Sequence, residues 1–143
     1  MIHIKLFEFN VLRAHCVILW DDGLRAVVVD PGYHSPQEND QFHSFISNSG
    51  LKVEKILLTH AHIDHVTGLK DCCDTYALPV TYHKDDLFQM EEENLVTAKF
   101  IGFPDPQTEN IPSEYICDGD MISVGEIASA ERMEGTRSVR PIP

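Results

Sequence analysis

Thr59-His60-Ala61-His62-Ile63-Asp64-His65-Val66-Thr67-Gly68 is the stretch that decides the fold. It places three imidazoles and a carboxylate within six residues, directly after the aliphatic run Ile56-Leu57-Leu58. Zinc takes imidazole nitrogen and carboxylate oxygen at about 2.0–2.2 Å, and a catalytic site leaves one position open for water. In an extended loop His60 and His62 project to the same side and can reach one ion. Asp64 and His65 stand where the chain turns into a helix and can serve a neighbouring ion. The spacing therefore predicts two metals. A histidine-rich surface loop is the bland alternative, and the density of ligands, the carboxylate and the preceding buried strand all count against it.

Working upstream, Lys52 to Thr59 reads as a strand whose carboxyl end carries the cluster, the usual place for chemistry in α/β proteins. Ser35-Pro36-Gln37-Glu38 combines a capping-box spacing with proline at the first helical position, and Phe42, Phe45 and Ile46 give the helix an apolar face that Gly50 ends. Arg13 to Trp20 and Leu24 to Asp30 are β-rich runs joined by Asp21-Asp22-Gly23, with Gly23 expected to take the positive φ of a tight turn. Ile2 to Phe9 alternates apolar and polar residues, the period of a strand with one buried face.

Downstream, Asp64 to about Tyr76 reads as helix, Pro79 to His83 as a short strand, and Asp85 to about Lys99 as a second helix. Gly102 to Ser113, with three prolines, reads as a loop. Glu114 to Val124 reads as two short strands around Asp118-Gly119-Asp120, where Asp-Gly is a hairpin signal rather than a metal ligand. His83 could approach the histidine cluster and His34 could line its mouth, although structural or solvent-exposed roles are the expectation for both.

The chain has 143 residues with 43% hydrophobic content, which fits one globular domain. Its formal net charge of −12 opposes the attraction that dominates binding to nucleic-acid phosphates and disfavours anionic membranes. No apolar run approaches signal-peptide or membrane-spanning character, so a soluble, cytoplasmic protein is expected. Cys16, Cys72, Cys73 and Cys117 form no Cys-x-x-Cys pair and are expected to be reduced thiols without a metal role.

Thr59 to Gly68 resembles the His-x-His-x-Asp-His signature of the metallo-β-lactamase superfamily, and Val28-Val29-Asp30-Pro31-Gly32 resembles its first motif. The order of hairpin, Asp-Pro-Gly, helix, strand and histidine loop is similar to glyoxalase II-like hydroxyacylglutathione hydrolases. The resemblance implies an α/β fold, the N-terminal part of a four-layer αββα sandwich with mixed β-sheets. It further implies that His60 and His62 hold one metal, that Asp64 and His65 hold a second, and that Asp30 supports the site from behind. Zinc is the implied metal, two ions in a complete site, with iron or manganese accepted by the same donors. The implied activity is hydrolysis of a small-molecule thioester, such as a glutathione thioester, by a metal-bound hydroxide that Asp64 helps to orient.

The pattern then stops. His83 is the last histidine, so the family's downstream ligands are missing. Three of the five arginines and none of the six lysines lie after residue 127, a shift that another reading frame of the same DNA would produce. The expected division is a metallo-β-lactamase-like part over 1–127 and a non-homologous, frameshifted tail over 128–143, with a naturally short binding module as the competing account. An exposed apolar sheet face, open strand edges and self-association are expected to follow. The alternative to a hydrolase is a catalytically inactive, truncated metal-binding or interaction fragment.

Overall fold

The computed structural model describes the chain except residues 60, 103–106, 109–110, 118–120, 125–126, 132–138 and 142–143. For Glu91 and for the strands beyond residue 120 it describes the backbone alone. Nine strands form two sheets, with three α-helices, all counted among the described residues. The larger sheet runs in sequence order: β1 (His3–Phe9), β2 (Ala14–Trp20), β3 (Arg25–Val29), β4 (Lys52–Leu57), β5 (Val80–His83) and β6 (Ser113–Ile116). The first three strands are antiparallel, and β3 through β6 are parallel. The smaller sheet is the antiparallel set β7 (Met121–Val124), β8 (Ile127–Glu131) and β9 (Val139–Pro141), with β7 lying against β3.

The period-two pattern of each strand divides the large sheet into two faces. Phe7, Phe9, Cys16, Ile18, Ala26, Val28, Val53 and Ile56 point to one face, where they pack with Phe42 and Ile46 of α1 (Pro36–Ser49) and with Leu69 and Cys72 of α2 (Leu69–Tyr76). Leu19, Val27, Val29 and Leu57 form a second, smaller apolar cluster on the other face. On β1 that other face is thinly covered: Ile4 is 61% exposed and Leu6 52%.

The local signals work largely as read. Ser35 accepts from the Glu38 N–H, both halves of the capping box are present, and Gly50 ends α1 with φ 67°. Four readings are corrected. The helix expected from Asp64 to about Tyr76 is a 3₁₀ turn (Ile63–His65) followed, after a non-helical step, by α2, which starts at Leu69. The positive φ in the β2–β3 turn falls on Leu24 (64°), not on Gly23. Asp21 closes that turn by accepting from the Leu24 N–H at its carbonyl and from the Arg25 N–H at its carboxylate, which leaves the left-handed step one residue later. The helix expected over Asp85 to Lys99 is split into a 3₁₀ turn (Lys84–Asp86), a π-helical turn (Gln89–Glu93) and α3 (Asn94–Ile101). The two strands expected around Asp118-Gly119-Asp120 exist but belong to different sheets, β6 pairing with β5 and β7 with β8; the Asp-Gly-Asp turn lies outside the described residues.

Helices α1 and α2 are tied together by one carboxylate. Asp71 Oδ2 accepts from Tyr33 Oη at 2.7 Å and Asn39 Nδ2 at 3.2 Å, and lies 2.7 Å from His43 Nε2. Burial pushes the Tyr33 phenol far up, so it remains a donor at any physiological pH. For Asp71, partial burial raises the pKa, but the bonds from Tyr33, His43 and Asn39 outweigh it and hold the pKa below the ordinary 3.8. Removing the acceptor strands a largely buried phenol, so Asp71→Ala should destabilise the chain by about 1–2 kcal/mol in urea titrations at neutral pH. Because the folded pKa is depressed, this contribution is full above pH 3.8 and fades as pH falls through the folded value. The gap between wild type and Asp71→Ala should therefore narrow in titrations run progressively below pH 3.8.

Candidate functional site

Strands β3 and β4 are parallel neighbours, with Val29 opposite Leu57, so the loops that follow them leave the same sheet edge side by side. Asp30 is the first residue of one loop, and Thr59 begins the other. Asp30 adopts φ 54°, a left-handed conformation that aspartate tolerates better than most residues. Its backbone stays attached, with its N–H donating to the Leu57 carbonyl and its own carbonyl accepting from the Gly32 N–H. The side chain is thereby turned towards the neighbouring loop.

There the Asp30 carboxylate, 4% exposed as a residue, gathers three groups. Oδ1 accepts from the Thr59 N–H at 2.8 Å, Oδ2 accepts from Thr59 Oγ1 at 2.5 Å, and Oδ2 lies 3.0 Å from His65 Nδ1. An ionised carboxylate can only accept, so His65 carries its proton on Nδ1 and presents the lone pair of Nε2 when neutral. Nε2 lies 3.5 Å from Asp64 Oδ2. Burial opposes a proton on the ring, but the hydrogen bond and charge of Asp30 and the charge of Asp64 outweigh it, raising the His65 pKa above 6.5.

The histidine loop is held from two further sides. Asn94, fully buried at the start of α3, donates from Nδ2 to the Ala61 carbonyl at 2.8 Å and accepts from Gln89 Nε2. Asn10, at the end of β1, donates from Nδ2 to the Asp64 carbonyl at 2.8 Å and to the Gly32 carbonyl at 3.0 Å. Gly32 and Asp64 run so close that a Cβ at position 32 would sit 2.5 Å from the Asp64 carbonyl oxygen. The crossing is closed by Thr67 Oγ1 donating to the Gly32 carbonyl and the Gly68 N–H donating to the Pro31 carbonyl. A Cβ at Gly68 would meet the Tyr33 ring at 2.7 Å, so glycine is needed at both ends of this crossing.

The structure thus brings Asp30, Asp64 and His65 together. His62 is exposed just before the 3₁₀ turn Ile63–His65 and accepts the His65 N–H at its carbonyl. His60 lies outside the described residues. Among the described residues no three His, Cys, Asp or Glu side chains form a metal cage. His83 is buried at the end of β5, with Nδ1 accepting from the Asp85 N–H, and His34 is exposed. Burial pushes the Cys16 and Cys72 thiols well up and Cys73 to about 12, which leaves no thiolate at neutral pH. Asn10 and Asn94 are the loop-holding positions that motif reading misses. Asn10 had a weak local signal as an asparagine at a strand end, whereas Asn94 sits in a helix far along the chain.

Beside the carboxylate lies an open cleft of about 410 Å³. Ile4, His15, Val17, Leu19 and Val29 line it, with Asp30, Thr59 and His65 at one end. Its surface is mostly apolar with a polar end, the general character of a small-molecule site. No helix among the described residues is long and apolar enough to cross a membrane.

Comparison with known proteins agrees with this fold. The metallo-beta-lactamase superfamily matches residues 10–129. A hydroxyacylglutathione hydrolase of Francisella philomiragia subsp. philomiragia is 31% identical over 123 residues, which are 85% of this chain and 38% of that protein. An uncharacterized protein of Mycobacterium leprae is 28% identical over 131 residues, 85% of this chain and 56% of that one. Among solved structures, the BLEG-1 B3 metallo-beta-lactamase superposes with a TM-score of 0.75 at 23% identity, covering 90% of this chain and 59% of that chain. TTHA1623, in a di-iron-bound form, gives 0.72 at 23% identity, covering 89% and 60%. The class B3 di-zinc enzyme LRA-12, from an Alaskan soil metagenome, gives 0.64 at 17% identity, covering 82% and 45%. The chain therefore spans well under two thirds of these relatives, and over that span its fold is theirs: it belongs to the metallo-β-lactamase superfamily.

Proposed function

We propose that this chain is the metal-binding part of a metal-dependent hydrolase that acts on small-molecule thioesters. The observation that carries the reading is the relay from Asp30 to His65 to Asp64. Metal-ligating histidines typically give their second ring nitrogen to a carboxylate, which fixes the tautomer and raises ligand basicity. Asp30 stands in that relation to His65. Two donors on one tetrahedral ion at about 2.0–2.2 Å lie roughly 3.3–3.6 Å apart. The 3.5 Å between His65 Nε2 and Asp64 Oδ2 matches that edge, so these residues fit a divalent metal.

In this reading His60 and His62 hold one ion, and Asp64 and His65 hold a second. Zinc is the proposed metal, with iron or manganese accepted by the same donors. Bound metal supplies Lewis acidity, lowering the pKa of water and polarising a carbonyl. The chain's own residues do the positioning. Asp30 holds His65 in the Nδ1–H form, Asp64 accepts a hydrogen bond from the attacking water at a carboxylate oxygen, and the apolar cleft takes the acyl part of the substrate. The likeness to hydroxyacylglutathione hydrolases supports a glutathione thioester, and the net charge of −12 disfavours a nucleic-acid substrate.

Two variants test the reading. Wild type dialysed against zinc should retain metal and His62→Ala should retain less, with any thioester hydrolysis falling in parallel. Equal activity in the two proteins would remove the proposed site. Metal retained without turnover would instead support the metal-binding fragment without catalysis. Asp30→Asn replaces an acceptor with an amide N–H facing Thr59 or His65 and should lower zinc affinity about 10–100-fold in chelator competition. Unchanged affinity would break the link between Asp30 and the metal.

A further inference from the structure

We infer that Asn10 is a positioning residue of the Asp64–His65 half of the site, acting through the Asp64 backbone. The inference rests on the metal reading above. Every polar group of Asn10 is engaged. Its N–H donates to Glu38 Oε2 at 2.8 Å, and its Oδ1 accepts from the Leu12 N–H at 2.8 Å. The two hydrogens of Nδ2 go to the carbonyls of Gly32 and Asp64. One amide thus bridges the loop that carries Asp30 and the loop that carries Asp64 and His65, which lie 54 residues from Asn10 in the case of Asp64.

The geometry distinguishes this from an ordinary turn residue. A turn asparagine satisfies its neighbours, as Oδ1 does for Leu12. One of the Nδ2 bonds instead reaches across the fold to the carbonyl of a proposed ligand, at the place where any Cβ on residue 32 would collide with the same oxygen. The Asp64 carbonyl thus receives the Asn10 donor where the two loops cross. Asn10 itself has φ 57°, so the left-handed backbone aims its side chain inward. Glu38, through the same carboxylate that caps α1, holds the Asn10 backbone in place.

The φ value provides a clean test. Asn10→Gly removes the amide while keeping a residue at ease in the left-handed region. Asn10→Asp keeps the shape but sets an acceptor against two carbonyls. In cobalt(II) titrations of the full chain, read by visible d–d absorption and chelator competition, both variants should bind about 10–100-fold more weakly than wild type and give an altered spectrum. Asp71→Ala, destabilised in the network of Tyr33, Asn39 and His43, none of which is a proposed ligand, should keep wild-type cobalt affinity within about twofold. As a measurement independent of any variant, the Asn10 side-chain amide signals in wild-type NMR spectra should shift when zinc is added. Wild-type affinity and spectrum in Asn10→Gly, or amide signals indifferent to zinc, would overturn the inference. Failure of wild type itself to bind cobalt would overturn the metal reading beneath it.

Discussion

The buried carboxylate of Asp30 is the constraint on which the rest of the site depends. It stands at the end of a parallel strand in a left-handed conformation, faces the loop from the next strand, and collects the Thr59 backbone, the Thr59 hydroxyl and the His65 ring. A buried carboxylate is tolerable only when its oxygens are satisfied, and here the groups that satisfy it are those whose orientation matters. The fold contributes by making β3 and β4 neighbours in register, so that two segments distant in sequence emerge together. The Gly32–Asp64 crossing and the Asn10 and Asn94 amides then fix the loop on its remaining sides.

Much of this was legible in sequence. Alternation in Ile2 to Phe9, the capping box at Ser35 and Glu38, Gly50 as a helix stop, and the run of donors from His60 to His65 are local signals whose physical causes act within a few residues. The resemblance implied that Asp30 supports the site from behind, but not that His65 is the ring it holds. What stayed hidden is long-range or competitive. Asn10 and Asn94 donate side-chain hydrogen bonds to carbonyls many residues away, two from Asn10 and one from Asn94, and no periodicity marks them. Leu24 takes the left-handed step because Asp21 fixes the turn before it, which overrides the local preference for Gly23. Likewise, the Asp-Gly signal after β6 suggested a hairpin, but β6 joins β5 in parallel and β7 pairs onward with β8.

The two faces of the large sheet have unequal fates. The helix face is sealed by aromatic packing, with Phe42 against Tyr33 at 4.6 Å and Phe7 against Phe9 at 4.9 Å, and by the Asp71 network beneath it. The opposite face carries the site and the apolar cleft, and near β1 it leaves Ile4 and Leu6 in solvent. The two regions are still linked: the Tyr33 hydroxyl belongs to the Asp71 network while its ring lies against Gly68 behind the histidine loop, and Glu38 of α1 holds Asn10.

The central claim is that Asp30 sets the His65 ring so that Nδ1 carries the proton of the neutral imidazole and the unprotonated Nε2 faces Asp64. Nitrogen-15 NMR of the imidazole, recorded above the raised His65 pKa, reads this directly. The account predicts a pyrrole-type Nδ1 and a pyridine-type Nε2, with the Nε2 resonance moving when zinc is added. A protonated Nε2 in the neutral ring, or a spectrum unchanged by zinc, would contradict it.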